Sequence, residues 1–310
     1  MTYDIYFHDD FDGRASAAVM RVFLEARGDS VERYVPLNFD VKEKWHAFKF
    51  PRPAVLLDFI YHPKTTWWFD HHLTTFIKPE WKRNFRGTRY HFWDPSAPSC
   101  CGQVIKALAR HHGFKPAKHL KELSIWLDVI DSAAFKSARQ TVEMKEPALK
   151  VTAFIDHESN KKKPLEWLIK LMGEKSLREI ARDARVQELL KDSEKMKKEA
   201  LRYYETHIEI FGKVGVMDSF PRNVMVVRFA PYYLYPRLIY NISVYPSGPR
   251  HFRLKVGVNP WRRREAKKLH IGNYLAKYGG GGHRYVGGAE IKGRKEIMRI
   301  VAEIRNALNG

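Results

Sequence analysis

Three short apolar runs, Tyr3–Phe7, Ala54–Phe59 and Thr66–Phe69, alternate with segments of helical character at Ala15–Ala26, Gly102–His112 and Lys118–Phe135. Strands that alternate with helices form βαβ units, so the amino-terminal half is expected to be α/β, a mostly parallel sheet with helices on both faces. Trp67 and Trp68 fall at successive positions of the third run and are expected to pack on opposite faces of the sheet. The architecture also dictates where chemistry can sit, because in an open parallel sheet the ligand site lies beyond the carboxyl ends of the strands. Each run leads into ligand-type residues: the first into His8-Asp9-Asp10-Phe11-Asp12-Gly13, the second into Asp58, the third into Asp70-His71-His72. A single Asp after a strand is ordinarily a turn residue or a helix cap. Three such ends converge on one sheet edge.

In His8-x-Asp10-x-Asp12 the alternate positions of an extended segment point to the same side, so an imidazole and two carboxylates can face one point. Oxygen and nitrogen donors without thiolate suit Mn²⁺ or Mg²⁺ better than a structural zinc. Gly13 is expected to let the chain turn tightly into the following helix. A fourth contribution comes from Lys118–Phe135, where Asp131 lies four residues after Leu127 and eight after Leu123 and shares their core-facing stripe. A carboxylate there is costly unless it is paired or bound to a metal, whereas Asp128 falls off the stripe and ranks second. So many acids repel one another in a compact site. Two divalent cations would neutralise them and activate water for hydrolysis of a phosphoester or phosphoanhydride.

The charge is unevenly spread. The 310 residues carry 55 Lys and Arg against 35 Asp and Glu, which favours an anionic partner. Residues 211–310 hold 19 of the basic residues and 5 of the acidic ones, so the surplus sits mainly in the last hundred positions. Between the halves, Gly173–Glu209 combines dense mixed charge with partly helix-spaced Leu177, Ile180, Val186, Leu189 and Leu190. The expected organisation is therefore a metal-binding domain over 1–172, a long linker helix over 173–210, and a smaller α/β domain over 211–310 with strands at Val224–Phe229, Leu238–Val244 and Arg253–Val258. Arg262-Arg263-Arg264 with Lys267 and Lys268 is the densest basic cluster, and Tyr232, Tyr233, Tyr235 and Trp261 are candidates for base stacking, with core packing the more ordinary role. The adjacent Cys100 and Cys101 are poorly placed to pair with each other, no CxxC occurs, and no apolar run is long enough for a membrane span. Disulfide scaffolds and thiolate zinc sites are excluded, and a soluble, cytoplasmic protein is expected.

With these motifs in place, the sequence resembles the DHH/DHHA1 phosphoesterases, which include RecJ-type exonucleases, oligoribonucleases of the nano-RNase type and exopolyphosphatase-related proteins. The resemblance rests on His8-Asp-Asp10-Phe-Asp12-Gly13, Asp58, Asp70-His71-His72, Asp131, and a carboxy-terminal Gly279-Gly280-Gly281-Gly282-His283 followed by Gly287-Gly288. Several branches carry a histidine farther upstream in the first motif. That position is Tyr6 here, and His8 takes the intermediate place.

The resemblance implies a DHH domain holding two Mn²⁺, with Mg²⁺ or Co²⁺ as alternatives, ligated by His8, Asp10, Asp12, Asp58, His71 and Asp131, with Asp58 bridging. It implies that His72 lies behind the metal ligands or meets the phosphate, that Gly281, Gly282, His283 and Arg284 of a DHHA1 domain grip the substrate, and that the active site lies in the cleft between the domains. The expected activity is hydrolysis of phosphodiester bonds in short single-stranded oligonucleotides or small phosphorylated nucleotides, exonucleolytically, by a monomer or homodimer. The alternatives are hydrolysis of inorganic polyphosphate and non-catalytic nucleic-acid binding.

Overall fold

A computed structural model describes residues 1–159, 161, 163–218 and 224–310. The chain divides into two compact units, Met1–Ala134 with Lys145–Leu190, and Phe135–Met144 with Lys191–Gly310.

The first unit opens with β1 (Thr2–His8), α1 (Phe11–Ala26), β2 (Ser30–Leu37), a 3-10 helix at Phe39–Ala47, β3 (Ala54–Leu57) and β4 (Trp67–Asp70). It continues with α2 (Pro79–Asn84), β5 (His91–Trp93), α3 (Cys100–His112) and α4 (Lys118–Asp131). After α5 (Ala138–Glu143), which belongs to the second unit, come α6 (Pro147–Glu158), α7 (Glu166–Glu174) and α8 (Leu177–Ala181). The strands form one sheet in the order β2-β1-β3-β4-β5 with every pair parallel. From β1 the chain moves outward to β2, then crosses back to β3 and runs outward the other way. The switch point therefore lies between β1 and β3, where an open α/β sheet offers its ligand crevice.

Strand alternation divides the buried residues between two faces. Trp67 meets Phe23 of α1 edge-on, with ring centroids 5.6 Å apart, while Trp68 faces away and packs on Tyr61 at 4.7 Å. Long helices cover only the α1 and α3 side. The opposite face is closed by the 3-10 helix, α2 and an aromatic layer containing Tyr6, Trp45, Phe59 and Trp68, so helices lie on both faces, long on one and short on the other. Trp45, Trp67 and Trp68 are among the largest fully buried side chains, and truncating such a ring to alanine costs about 3–5 kcal/mol.

The stretch 173–210 holds the end of α7, then α8, then α9 (Ala184–His207), and the division between the two units falls inside α9. A capping box at Ser176 and Glu179 starts α8 as a separate helix.

The second unit contains β6 (Ile208–Phe211), β7 (Val214–Met217), α10 (Ala230–Leu234), β8 (Tyr240–Gly248) and β9 (His251–Val258). A second 3-10 helix (Pro260–Glu265), α11 (Ile271–Ala276), β10 (Gly281–Gly282), β11 (Val286–Lys292) and α12 (Arg294–Asn309) complete it. Its sheet runs β10-β11-β9-β8-β7-β6 and is antiparallel except between β7 and β8. Ile297, Ile300, Val301, Ile304 and Leu308 recur at helical spacing on α12 and are buried with Leu254, Val256 and Ile242 of the sheet. The run Val224–Phe229 is not a strand. Phe229 takes a left-handed conformation at the start of α10, and Val227 is buried in a local cluster with Ala230 and Tyr204, which satisfies its apolar side chain without strand pairing.

Candidate metal centre at the sheet switch point

The sheet brings the ends of three neighbouring strands together, and with them five acidic or imidazole side chains. His8 ends β1, Asp58 follows β3, and Asp70, His71 and His72 leave β4. Asp58 is the point on which they close. Its carboxylate lies 3.6 Å from His8 Nδ1, 3.4 Å from His71 Nε2 and 3.5 Å from His72 Nδ1. The residue is buried and its backbone is left-handed, with φ 56°, a conformation that aspartate tolerates better than most residues and that often marks a functional turn.

Asp10 plays two parts. It caps α1, accepting the Gly13 amide at 2.9 Å through Oδ1, while Oδ2 lies 2.9 Å from His8 Nδ1. Gly13 itself has no positive φ. Glycine is required because a Cβ there would stand 2.2 Å from the His8 carbonyl oxygen, so it permits close approach rather than an unusual turn. Asp12 is buried and accepts the amides of Cys100 at 2.6 Å and Cys101 at 2.9 Å, the first residues of α3. The positive end of that helix thus fixes the carboxylate. Both cysteines are buried, and burial pushes their thiols up, which removes them as nucleophiles.

The histidines of the third motif are held from behind. His71 Nδ1 lies 3.0 Å from the Ala97 carbonyl, which can only accept, so Nδ1 carries the proton and Nε2 turns to Asp58, to Asp12 at 3.8 Å and to Asp131 at 3.4 Å. Asp70, fully buried, accepts the His71 and His72 amides and the His72 ring at 2.8 Å through one oxygen. Asp131 is the last residue of α4, at the rim of the cluster rather than inside the apolar stripe of Leu123 and Leu127. Asp128 accepts from Ser99 Oγ and stands outside the group.

Electrostatics and geometry both fit divalent cations. Three sets of ligand atoms, Asp58 with His71 and His72, His8 with Asp10 and Asp58, and Asp12 with His71 and Asp131, each lie within 4.8 Å of one another. His8 Nδ1, Asp58 Oδ1 and His71 Nε2 are buried without a hydrogen-bond partner although each has charged neighbours at close range. Donor atoms that crowd together without hydrogen-bond geometry are what several ligands of one ion look like. Burial disfavours a charged His8, but Asp10 and Asp58 outweigh it and raise the imidazole to about 11. His71 rises to about 10, burial again being overcome by Asp58 and then Asp12. Burial and the neighbouring Asp58 lift Asp131 to about 6, while burial and then Asp58, Asp131 and Asp10 push Asp12 well above the ordinary range. Asp58, despite its burial, is held at about 2 by His71 and His8. The cluster calls for positive charge, and its acids and histidines could hold divalent metal ions.

The glycine-rich segment lies in the second unit. Gly281 and Gly282 pair with Gly288 and Gly287 across an antiparallel turn, and exposed His283 and Arg284 occupy its tip. Their backbones are engaged: the His283 amide donates to Val286, and the His283 and Arg284 carbonyls accept from Gly272 and Ile271. Arg262 is paired with Glu265. The four aromatic stacking candidates of this half are packed: Tyr232 is buried, its hydroxyl donating to Gly257, Trp261 donates its indole N–H to Phe135, Tyr235 reaches the Glu205 carbonyl, and Tyr233 is partly buried among Tyr232 and Trp261.

Sequence reasoning did not assign roles to Asp70 as the orienter of His72, Ala97 as the anchor of His71, or Arg14. The Arg14 guanidinium, fully buried, pairs with Asp9 and donates to the carbonyls of Lys163 and Pro164, tying the His8–Asp10 turn to that segment. Asp70 and Arg14 were legible as charges that a core position would have to satisfy; a backbone carbonyl leaves no mark in a sequence.

No family model and no curated protein matches this sequence. Solved structures do. A pGpG-specific phosphodiesterase from Vibrio cholerae superimposes with a TM-score of 0.76 at 19% identity, over 99% of this chain and 100% of the other. An exopolyphosphatase-related protein from Bacteroides fragilis gives 0.59 at 12% identity, over 99% and 92%. RecJ from Thermus thermophilus, in complex with Mn²⁺, gives 0.58 at 15% identity, over 99% of this chain and 51% of the larger protein. The chain therefore has a DHH-family-like fold, an amino-terminal parallel sheet followed by a second, mixed sheet.

Proposed function

We propose that this chain is a metal-dependent phosphodiesterase that releases nucleotides from the ends of short single-stranded oligonucleotides or small phosphorylated nucleotides. The observation that carries the reading is the convergence of His8, His71 and His72 on the buried Asp58 within 3.6 Å, with further acids around them. His8, Asp10, Asp12, Asp58, His71 and Asp131 are the proposed ligands of two Mn²⁺, with Asp58 shared. When bound, such ions polarise phosphoryl oxygens and lower the pKa of water enough to make it a nucleophile near neutral pH.

The protein's own groups prepare the site. The Ala97 carbonyl keeps the His71 Nε2 lone pair directed inward, and the first turn of α3 holds Asp12. His72 is raised above its ordinary range, burial being outweighed by Asp70 and Asp58, which favours the charged ring, and it is the group proposed to meet a phosphate oxygen. Gly281, Gly282, His283 and Arg284 are the proposed grip on the nucleotide end, in the half of the chain that carries most of the positive surplus. Full-length similarity to a pGpG-specific phosphodiesterase favours a linear dinucleotide within this substrate class.

The test is a panel of a linear dinucleotide, oligonucleotides of increasing length and inorganic polyphosphate, each with Mn²⁺, Mg²⁺ or Co²⁺ at fixed salt. Preference for the dinucleotide supports the reading. Equal or better turnover of polyphosphate overturns it in favour of a polyphosphatase, and binding without hydrolysis of any member makes the chain a non-catalytic binder. No helix among the described residues is long and apolar enough to cross a membrane.

A further inference from the structure

One aromatic ring stands apart from the rest. Among the described residues, Phe39 is the one Phe, Tyr or Trp that is exposed, with 51% of its surface open. It follows β2 at the same sheet edge as the acid and histidine cluster. The ring stacks on Phe59, the residue after Asp58, with centroids 5.3 Å apart and planes 23° from parallel. It also touches the His8 ring at a centroid distance of 5.1 Å. Phe59 is 1% exposed and belongs to the aromatic layer beneath the sheet, so one face of Phe39 is seated on a rigid support. Just before it, Asn38 donates to Asp9 of the first motif at 3.4 Å. Leu73, directly after His72, is 68% exposed.

An isolated exposed apolar side chain needs no explanation. A ring whose plane is set by stacking on the residue next to Asp58, and which also lies against the His8 ring at a tilt of 53°, is different: its orientation is fixed relative to the atoms that would surround the phosphate. Nucleobases stack on such rings whatever their sequence, because every base has a π-face. Inorganic polyphosphate has nothing to place there.

We infer that Phe39 is a specificity-determining platform on which the base adjoining the scissile phosphate stacks, selecting nucleotides over base-free phosphates at the same metal centre. The inference rests on the phosphodiesterase reading for its reaction and on Phe39, Phe59 and His8 for its geometry. The contribution is that of one stacked base, which corresponds to roughly a 5- to 150-fold effect.

The experiment compares the wild-type protein with Phe39→Leu and Phe39→Trp on a dinucleotide and on the same compound with the base beside the scissile phosphate removed. Phe39→Leu is expected to lower the ratio of kcat/KM for the dinucleotide over the abasic compound at least fivefold, through KM and not kcat, and Phe39→Trp is expected to restore it. A parallel measurement follows the fluorescence of a dinucleotide containing 2-aminopurine, which stacking quenches, at equilibrium and without turnover. Quenching by wild type that is lost in Phe39→Leu supports the platform even if no substrate is hydrolysed, so failure of the reaction reading is separable. An unchanged substrate ratio in Phe39→Leu, or equal quenching by wild type and Phe39→Leu, overturns the inference.

Discussion

His71 turns its Nδ1 to the Ala97 carbonyl at 3.0 Å, and this single contact decides which ring nitrogen faces Asp58. The carbonyl accepts only a proton-bearing nitrogen, so Nε2 is the atom left for a cation, and burial of the ring makes the choice permanent. His71→Ala is expected to lower Mn²⁺ affinity by at least tenfold, measured by calorimetry on metal-free protein, with little change in circular dichroism. Equal affinity in the variant would remove His71 from the ligand set.

Asp58 lies within 3.6 Å of three imidazoles, and no other residue of the cluster does. Asp58→Asn keeps the size and removes the charge that two ions would share. Hydrolysis of a dinucleotide is expected to fall by about a thousandfold or more, a loss of roughly 4 kcal/mol in transition-state stabilisation, while the thermal unfolding of the metal-free protein remains cooperative. Turnover within tenfold of wild type would show that another carboxylate bridges.

His62 supplies a pH signature independent of catalysis. Its ring is 1% exposed among Trp45, Phe50 and Trp81, and accepts the Lys64 amide at Nδ1. Burial, helped by the Lys64 charge, lowers it from the ordinary 6.5 to about 4. For a histidine whose folded value is depressed, the unfolded chain takes up the proton first. Stability from this group is therefore full above pH 6.5 and lost as pH falls towards 4, by up to about 3 kcal/mol. Denaturant midpoints measured at pH 7 and pH 4.5 in wild type and His62→Phe test this: the acid-induced loss should be smaller in the variant.

The strand ends were legible because three of them carry acids or histidines and converge on one sheet edge, although each alone would read as a turn or cap, and the parallel sheet followed from the alternation of Tyr3–Phe7 and Ala54–Phe59 with helical segments. What escaped had physical reasons. Val214–Met217 is a four-residue strand after a two-residue turn, too short for periodicity to register, and Val224–Phe229 satisfied its apolar content by packing instead of pairing. The aromatic residues considered for base stacking, Tyr232, Tyr233, Tyr235 and Trp261, are buried or partly buried, and among the described residues the exposed ring is Phe39, which no pattern separates from its neighbours. Local composition reports apolar surface; it does not report which side of the surface remains open.

The glycine run separates into two kinds of position, and this gives a test of the substrate grip. At Gly282 the φ of 139° is unfavourable for any side chain, and a Cβ would stand 2.4 Å from the Val286 carbonyl oxygen. Gly282→Ala is expected to destabilise the protein by about 1–3 kcal/mol through the fold alone. At Gly281 an added Cβ meets nothing within 4 Å, and φ is not positive. Gly281→Ala should therefore leave the melting temperature within about 2 °C of wild type, since no named source of large destabilisation operates there. If the backbone at this turn approaches the nucleotide end closely, the same methyl group stands in the substrate's way and KM for the dinucleotide rises at least tenfold. Unchanged stability with unchanged KM would assign the glycine run to hairpin packing and leave the grip to His283 and Arg284.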